Sequence, residues 1–258
     1  MHRLIALDMD GTLLDPQGRV PESFWPLYDD ATTHGVTLTP ASGRQLSTLR
    51  QMFPACETFI AENGSVVWHA GEVVSTTPLD DDAARRLIDA LDDAPFPAHV
   101  VVCSPTVAAT LALPEAVDRE VDKYYASRTI VARLADATGP VIKIAIYVDT
   151  DAERDGYAWV RDHAPELRVV VSGKHWIDVM APEADKGRAL EQLAGALGVA
   201  MADAAAFGDY LNDLGMVRAA GYGVAMGNAH DDVKAAADEV VGTNADNAVV
   251  EKLRQWLQ

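Results

Sequence analysis

The 258-residue sequence has little cysteine and no long apolar run. Its two cysteines, Cys56 and Cys103, lie far apart and match no metal-binding spacing, so we expect no disulfide framework. No stretch approaches the roughly 18 apolar residues that a membrane-spanning helix requires. The first apolar run is too short for a signal peptide and is broken by acidic residues, so we expect a cytoplasmic location.

Basic residues are also scarce. The chain has 21 Lys and Arg against 39 Asp and Glu, which gives a formal net charge of −18. A field of that sign repels nucleic acid and anionic membranes, so we expect neither as a partner. It also repels phosphorylated small molecules, so an anionic substrate would require a local cationic centre, either a metal or a few placed Lys and Arg. The composition leaves monomer and homodimer both open.

Strand and helix patterns alternate at both ends of the chain. Short apolar runs that end at glycine or acidic residues predict buried strands at 4–7, 36–39, 58–61, 204–207 and 222–226. Apolar residues at helical spacing predict helices at 21–34, 45–53, 186–197, 214–219, 233–237 and 248–257. This alternation is typical of a parallel sheet built from strand–helix–strand units.

The middle of the chain has more strands than helices. Apolar runs predict strands at 100–102, 129–131, 142–148 and 169–171, and helical spacing occurs at 80–92 and 153–163. We therefore predict an α/β fold with two domains. Residues 1–77 and 183–258 form a discontinuous core domain with a mostly parallel sheet, and residues 78–182 form an inserted α+β domain.

Two carboxylates follow the first predicted strand. Asp8 and Asp10 precede Gly11 at a strand end, which is where open α/β sheets bind their ligands. Two such carboxylates are costly to leave unpaired, and this favours a metal and phosphate site. The alternative is a turn in which an aspartate caps the backbone, although one aspartate would suffice for that.

Polar residues mark two further positions. Ser42 and Gly43 follow the second predicted strand, where a hydroxyl and backbone N–H groups can hold phosphate oxygens, although an ordinary helix N-cap explains the same pair. Lys186 opens a predicted helix, where a cation is unfavourable. It therefore requires an anionic partner, which is either a ligand or the neighbouring Asp185.

The fourth cluster contains Asp209, Asn212 and Asp213, after the strand predicted at 204–207. Oxygen-rich side chains of this kind suit Mg²⁺, while a group of helix N-caps is the alternative. Each cluster alone is weakly specific. Their order along the chain is much more specific: Asp-x-Asp-Gly-Thr, then Ser-Gly-Arg, then Lys, then Gly-Asp-x-x-Asn-Asp.

This series of motifs resembles the haloacid dehalogenase-like hydrolase superfamily. The inserted middle lies between the second and third motifs, which is similar to the Cof-like members (type IIB) that carry a large α/β cap. The segments 62–65 and 225–229 also resemble that group. The resemblance covers essentially the whole chain and implies a Rossmann-like three-layer core with an inserted cap domain.

The resemblance also implies roles for the acidic residues. Asp8 is the nucleophile that forms an aspartyl-phosphate, and Asp10 acts first as general acid and then as general base. The cofactor implied is Mg²⁺, held by the Asp8 carboxylate, the Asp10 backbone carbonyl and Asp209. Asp213 supports the metal through water or from behind these ligands.

The remaining motif residues surround the phosphate in this interpretation. Ser42, the Gly43 backbone, Lys186 and Asn212 hold its oxygens. Arg44 either reaches the substrate or braces the second motif.

The activity implied is Mg²⁺-dependent hydrolysis of small phosphate monoesters, such as sugar phosphates, so the expected partner is a small phosphorylated metabolite. A phosphomutase that moves phosphate between sugar positions is the alternative. A phospho-accepting signalling module is a third interpretation. We favour hydrolysis over the signalling module because Asp10 supplies the acid and base that a long-lived phospho-aspartate lacks.

Overall fold

The computed structural model describes residues 2–257, which divide into two compact units. The core unit contains the residues up to Gly43, Leu49–Ser75 and the residues from Asp185 onward. The inserted unit contains Thr76–Ala184 together with Arg44–Thr48. Met1 and Gln258, the outer ends of the predicted core domain, lie outside the described residues.

The strands are β1 (Leu4–Asp8), β2 (Thr37–Ala41), β3 (Thr58–Ala61), β4 (Val66–His69), β5 (Glu72–Thr76), β6 (Ala98–Cys103), β7 (Ala108–Thr110), β8 (Arg128–Ile130), β9 (Lys143–Val148), β10 (Arg168–Gly173), β11 (Trp176–Met180), β12 (Ala204–Gly208), β13 (Tyr222–Ala225) and β14 (Glu239–Val240). The α-helices are α1 (Phe24–Thr33), α2 (Leu46–Met52), α3 (Asp81–Leu91), α4 (Glu115–Asp122), α5 (Ala158–His163), α6 (Lys186–Leu197), α7 (Leu214–Ala219), α8 (Asp231–Ala236) and α9 (Ala248–Leu257).

The core unit is built on one sheet with the strand order β14-β13-β12-β1-β2-β3-β4-β5. The strands from β14 to β3 pair in parallel, and β4 pairs antiparallel with β3. The central strand β1 is buried along its whole length, as a strand covered on both faces should be. The predicted α/β fold with a mostly parallel sheet is confirmed.

Helices cover both faces of this sheet. Leu190 and Leu193 of α6 pack with Leu4 and Ala6 of β1 on one face. Phe207 of β12 faces the other side, because side chains alternate along a strand, and its ring lies 5.3 Å from that of Trp256 in α9. The sheet is therefore the middle of three layers.

The inserted unit has its own sheet, in the order β10-β11-β9-β6-β7-β8. Its pairs are antiparallel except for β7 with β8. One face packs against α3 and α5, where Leu87 and Val160 meet Ile144, Ile146 and Ile177. This separate core confirms the predicted α+β character of the middle of the chain.

Several details differ from the predicted pattern. The second strand extends to Ala41, although a loop was predicted from Pro40. Only Ala41 of β2 is paired with β3, so the strand tolerates the missing N–H of Pro40. The strands β4, β5, β7, β11 and β14 and the helix α4 were not predicted. No helix within residues 2–257 combines the length and apolarity needed to span a membrane.

Candidate active site

The chemistry-bearing residues lie at one edge of the core sheet. Asp8 is the last residue of β1, Ser42 follows β2, and Asp209 follows β12. These three strands are neighbours and run in parallel, so their carboxyl ends share one edge. The sheet therefore brings together residues that are far apart in the sequence.

Lys186 joins two of the motifs. Its Nζ donates to Oδ1 of Asp8 and to Oδ1 of Asp213, each at 2.7 Å, and its side chain is fully buried. Asp185 does not pair with it, because the Asp185 carboxylate caps α6 by accepting from the backbone N–H groups of Gly187 and Arg188. Lys186 can therefore begin this helix because Asp8 and Asp213, which are distant in the sequence, balance its charge.

Asp213 holds the fourth motif in place from within. Its Oδ2 accepts from the backbone N–H of Asp209 at 2.9 Å and from that of Tyr210 at 3.1 Å. Its other oxygen accepts from Lys186, and no part of the residue is exposed. One oxygen of the Asp213 carboxylate therefore closes the turn, as the helix-capping interpretation requires, and the other faces Lys186.

The buried acids outnumber the buried cation. Burial alone would lower the pKa of Lys186, but the charges of Asp213 and Asp8 raise it above its ordinary value, so the ammonium stays charged. Burial and the charge of Asp213 raise the pKa of Asp209 to about 6. The same two causes raise the pKa of Asp8 despite its contact with Lys186. The site therefore has an excess of negative charge that a divalent cation would neutralise.

The donor set fits such a cation. Asp8, Asp209 and Asp213 each offer a carboxylate oxygen, and these oxygens lie within 4.8 Å of one another. Oxygen is the ligand atom that Mg²⁺ and similar hard cations prefer. The three acids can therefore hold a divalent metal together. Asp10 lies in the turn after β1 and is exposed.

Two asparagines fix the turn after β1. The Asn228 side chain donates to the Gly11 carbonyl at 2.8 Å and lies 3.5 Å from Oδ2 of Asp209. Its Oδ1 accepts from the backbone N–H of Asn244, whose own side chain donates to the Leu14 carbonyl. The sequence analysis assigned no role to Asn228, although the residue lies in the segment 225–229 that resembles the Cof-like group.

Gly11 is required by the close approach of Asp209. Its φ is +85°, and a Cβ here would lie 2.2 Å from Oδ2 of Asp209. We expect Gly11→Ala to displace this carboxylate and to weaken binding of a divalent cation by about tenfold or more, as changes beside metal ligands do. The measurement is the thermal unfolding midpoint across a titration of the cation.

Gly18→Ala is the matched control for Gly11→Ala. Gly18 has a φ of +73° with nothing within 4 Å of a built Cβ, so the substitution adds left-handed strain without a clash. We expect its cation binding to match that of the parent. An equal loss in both variants would show that backbone strain, and not the position of Asp209, controls the binding.

The second motif meets the fourth through Asn63. Ser42 is buried, and α2 begins only at Leu46, so Ser42 is not the N-cap of that helix. Asn212 donates to Oδ1 of Asn63 at 3.2 Å, and the Asn63 amide lies against Gly43. Asn63 was not among the predicted site residues, although Asn-Gly after a strand is a turn signal.

Arg44 belongs to the inserted unit.

Comparisons with known proteins find similar chains over nearly the whole length of this one. The chain is 32% identical over 266 residues to the HMP-PP phosphatase of Cronobacter sakazakii, across 100% of this chain and 96% of that protein. It is 30% identical to the pyridoxal phosphate phosphatase of Escherichia coli, across 96% of each. A solved HAD subclass IIB sugar phosphatase shares the fold, with a TM-score of 0.79 at 21% identity over 98% of both chains.

A family model described as haloacid dehalogenase-like hydrolase matches residues 5–253. This match includes every motif at the sheet edge and the whole inserted unit. The chain therefore belongs to the haloacid dehalogenase-like hydrolase family, among relatives that are phosphatases.

Proposed function

We propose that the protein hydrolyses small phosphate monoesters in a Mg²⁺-dependent reaction that passes through an aspartyl-phosphate on Asp8. The observation that carries the proposal is the buried Asp8 carboxylate, which lies 2.7 Å from the Lys186 ammonium and beside Asp209 and Asp213. Family membership supports a hydrolase. Relatives named for small phosphorylated compounds support the substrate class.

In the first step, an oxygen of Asp8 attacks the phosphorus atom and the bond from phosphorus to the ester oxygen breaks. Asp10 gives its proton to that leaving oxygen, which departs as an alcohol. Lys186, Ser42 and Asn212 donate hydrogen bonds to the other phosphate oxygens, where negative charge is spread during transfer.

In the second step, Asp10 is a carboxylate and takes a proton from water. The water oxygen attacks phosphorus, the bond between phosphorus and Asp8 breaks, and inorganic phosphate is released. Both residues return to their starting states. The exposed position of Asp10 supports this role because the residue has to exchange protons with the leaving group and with water.

The Asp8 carboxylate, the Asp10 backbone carbonyl and Asp209 would hold the Mg²⁺, with Asp213 supporting it through water or from behind. When bound, the cation offsets the repulsion between the phosphate and Asp8.

The test is release of inorganic phosphate from sugar phosphates, nucleotides, pyridoxal phosphate and p-nitrophenyl phosphate. Pyridoxal phosphate is included because one relative is named for it. Each compound is assayed after treatment with EDTA and again after Mg²⁺ is restored. We expect release only with Mg²⁺, and we expect one chemical group of substrates to be turned over fastest.

Two results would count against this proposal. Full activity in rigorously chelated protein would show that the reaction does not require a metal. Retention of phosphate, with a sugar phosphate converted to its isomer, would indicate a phosphomutase instead.

A further inference from the structure

Three consecutive residues of the core unit have left-handed backbone conformations. The φ values are +51° at Glu62, +55° at Asn63 and +92° at Gly64. Glycine adopts this region freely and asparagine tolerates it, but a left-handed glutamate is unfavourable. Glu62 is also almost completely buried. Non-glycine residues in this region are strained, and they persist where the surrounding structure determines their conformation.

The hairpin alone does not require this conformation. Residues 62–65 connect β3 to β4, whose last register pair is Ala61 with Val66. Four-residue hairpin loops are most often built around an ordinary type I turn, which needs no run of left-handed residues. The strain therefore serves contacts outside the hairpin.

Those contacts reach the second and fourth motifs. The Asn63 backbone N–H donates to the Ser42 carbonyl at 3.0 Å. A Cβ built on Gly43 would lie 2.9 Å from Nδ2 of Asn63, so the amide covers this glycine directly. The Oδ1 of Asn63 accepts from Nδ2 of Asn212 at 3.2 Å.

The same turn also reaches the third motif. A Cβ built on Gly64 would lie 2.3 Å from the Asp185 carbonyl oxygen and 2.9 Å from the Lys186 backbone nitrogen. The turn is thus packed against the peptide that opens α6 and precedes the Lys186 side chain. One short strained segment touches all three groups that are proposed to hold phosphate.

We propose that Asn63 is a positioning residue that orients the Asn212 amide for phosphate binding and sets its spacing from the Ser42–Gly43 loop. This inference rests on the proposed function and extends it. An amide nitrogen carries two N–H groups, so the bond to Asn63 leaves one of them to donate to a phosphate oxygen. Without Asn63 the amide can rotate by half a turn and present its carbonyl oxygen, which repels the anion.

Asn63→Gly tests the side chain without straining the backbone, because glycine keeps the left-handed conformation. It is compared with Asn212→Ala and with the double variant. The probe is inorganic phosphate, whose inhibition constant against p-nitrophenyl phosphate turnover is measured with Mg²⁺ present, together with kcat and KM. Ala70→Gly is the matched control, because Ala70 has a φ of +48° in another hairpin turn.

We expect Asn63→Gly to raise the inhibition constant for phosphate by about tenfold or more, as loss of a hydrogen bond to a charged group does. The double variant should bind phosphate within about twofold of Asn212→Ala, because Asn63 acts through that residue. Ala70→Gly should match the parent. Parent-like binding by Asn63→Gly, or losses that multiply in the double variant, would overturn the proposal.

Measurements on the parent protein distinguish a failure of this inference from a failure of the proposed function. Phosphate binding without hydrolysis of any substrate would refute the proposed function, and calorimetric titration of inorganic phosphate into the same variants would still test Asn63. A parent protein that neither hydrolyses monoesters nor binds phosphate would overturn both.

Discussion

Asp8→Asn is expected to lower kcat by at least about 10⁴-fold, a loss typical of removing a covalent nucleophile. The amide has nearly the same shape as the carboxylate, but it cannot attack phosphorus to form the acyl-phosphate. The measurement is steady-state phosphate release with the best substrate of the panel. Mass spectrometry after rapid acid quench should find phosphate on the Asp8 peptide of the parent and none on the variant.

The fold of Asp8→Asn should be retained. Lys186 keeps its 2.7 Å contact with Asp213, and one of the excess buried charges is removed. We therefore expect a thermal unfolding midpoint within about 3 °C of the metal-free parent. Asp15→Asn, in the exposed turn where Asp15 accepts from Arg19, is the matched control and should keep full turnover. Substantial activity in folded Asp8→Asn would eliminate Asp8 as the nucleophile.

The strands that carry the site could be predicted because each is a short apolar run with a clear end. The hairpin of β4 and β5 lacked such a signal. Its two-residue turn is Ala70 and Gly71, both at positive φ, where the usual signal is Asn-Gly or Asp-Gly. The helix α4 buries only Val117 and Val121, which is too few apolar residues for a helical period to stand out.

The contacts between site residues could not be predicted from the sequence, because they depend on the fold. Asp8 and Asp209 could be proposed because each lies at the end of an apolar run that predicts a buried strand. The choice between Asp185 and distant acids as the partner of Lys186 could not be made, since Asp8 is 178 residues away in the sequence. The contacts of Asn63 with Asn212 and of Asn228 with Gly11 likewise join loops from separate strands. Local patterns therefore predicted which polar groups lie at the ends of the strands, while long-range packing determines which of them meet and how they are oriented.

Lys186→Met is expected to abolish turnover and also to destabilise the metal-free protein. Methionine replaces the buried stem but leaves Asp8, Asp209 and Asp213 without the ammonium, and removing one partner of a buried pair costs about 3–5 kcal/mol. The measurement is urea unfolding in EDTA at pH 8. Lys252→Met is the matched control, because Lys252 pairs with Glu239 at 2.6 Å in a less buried position and should lose less stability.

The double variant Lys186→Met with Asp213→Asn isolates the electrostatic cause. Removing one of the uncompensated carboxylates should restore part of the stability while leaving the enzyme inactive. The loss in free energy of unfolding that Lys186→Met causes, called the deficit below, should also become smaller as the pH falls from 8 to 5. Burial raises the pKa of Asp8 and of Asp209 above their unfolded values, so their ionised forms cost stability at high pH and protonation relieves that cost. A deficit that is unchanged across this pH range, and unchanged in the double variant, would indicate lost packing around the lysine stem and not lost charge balance.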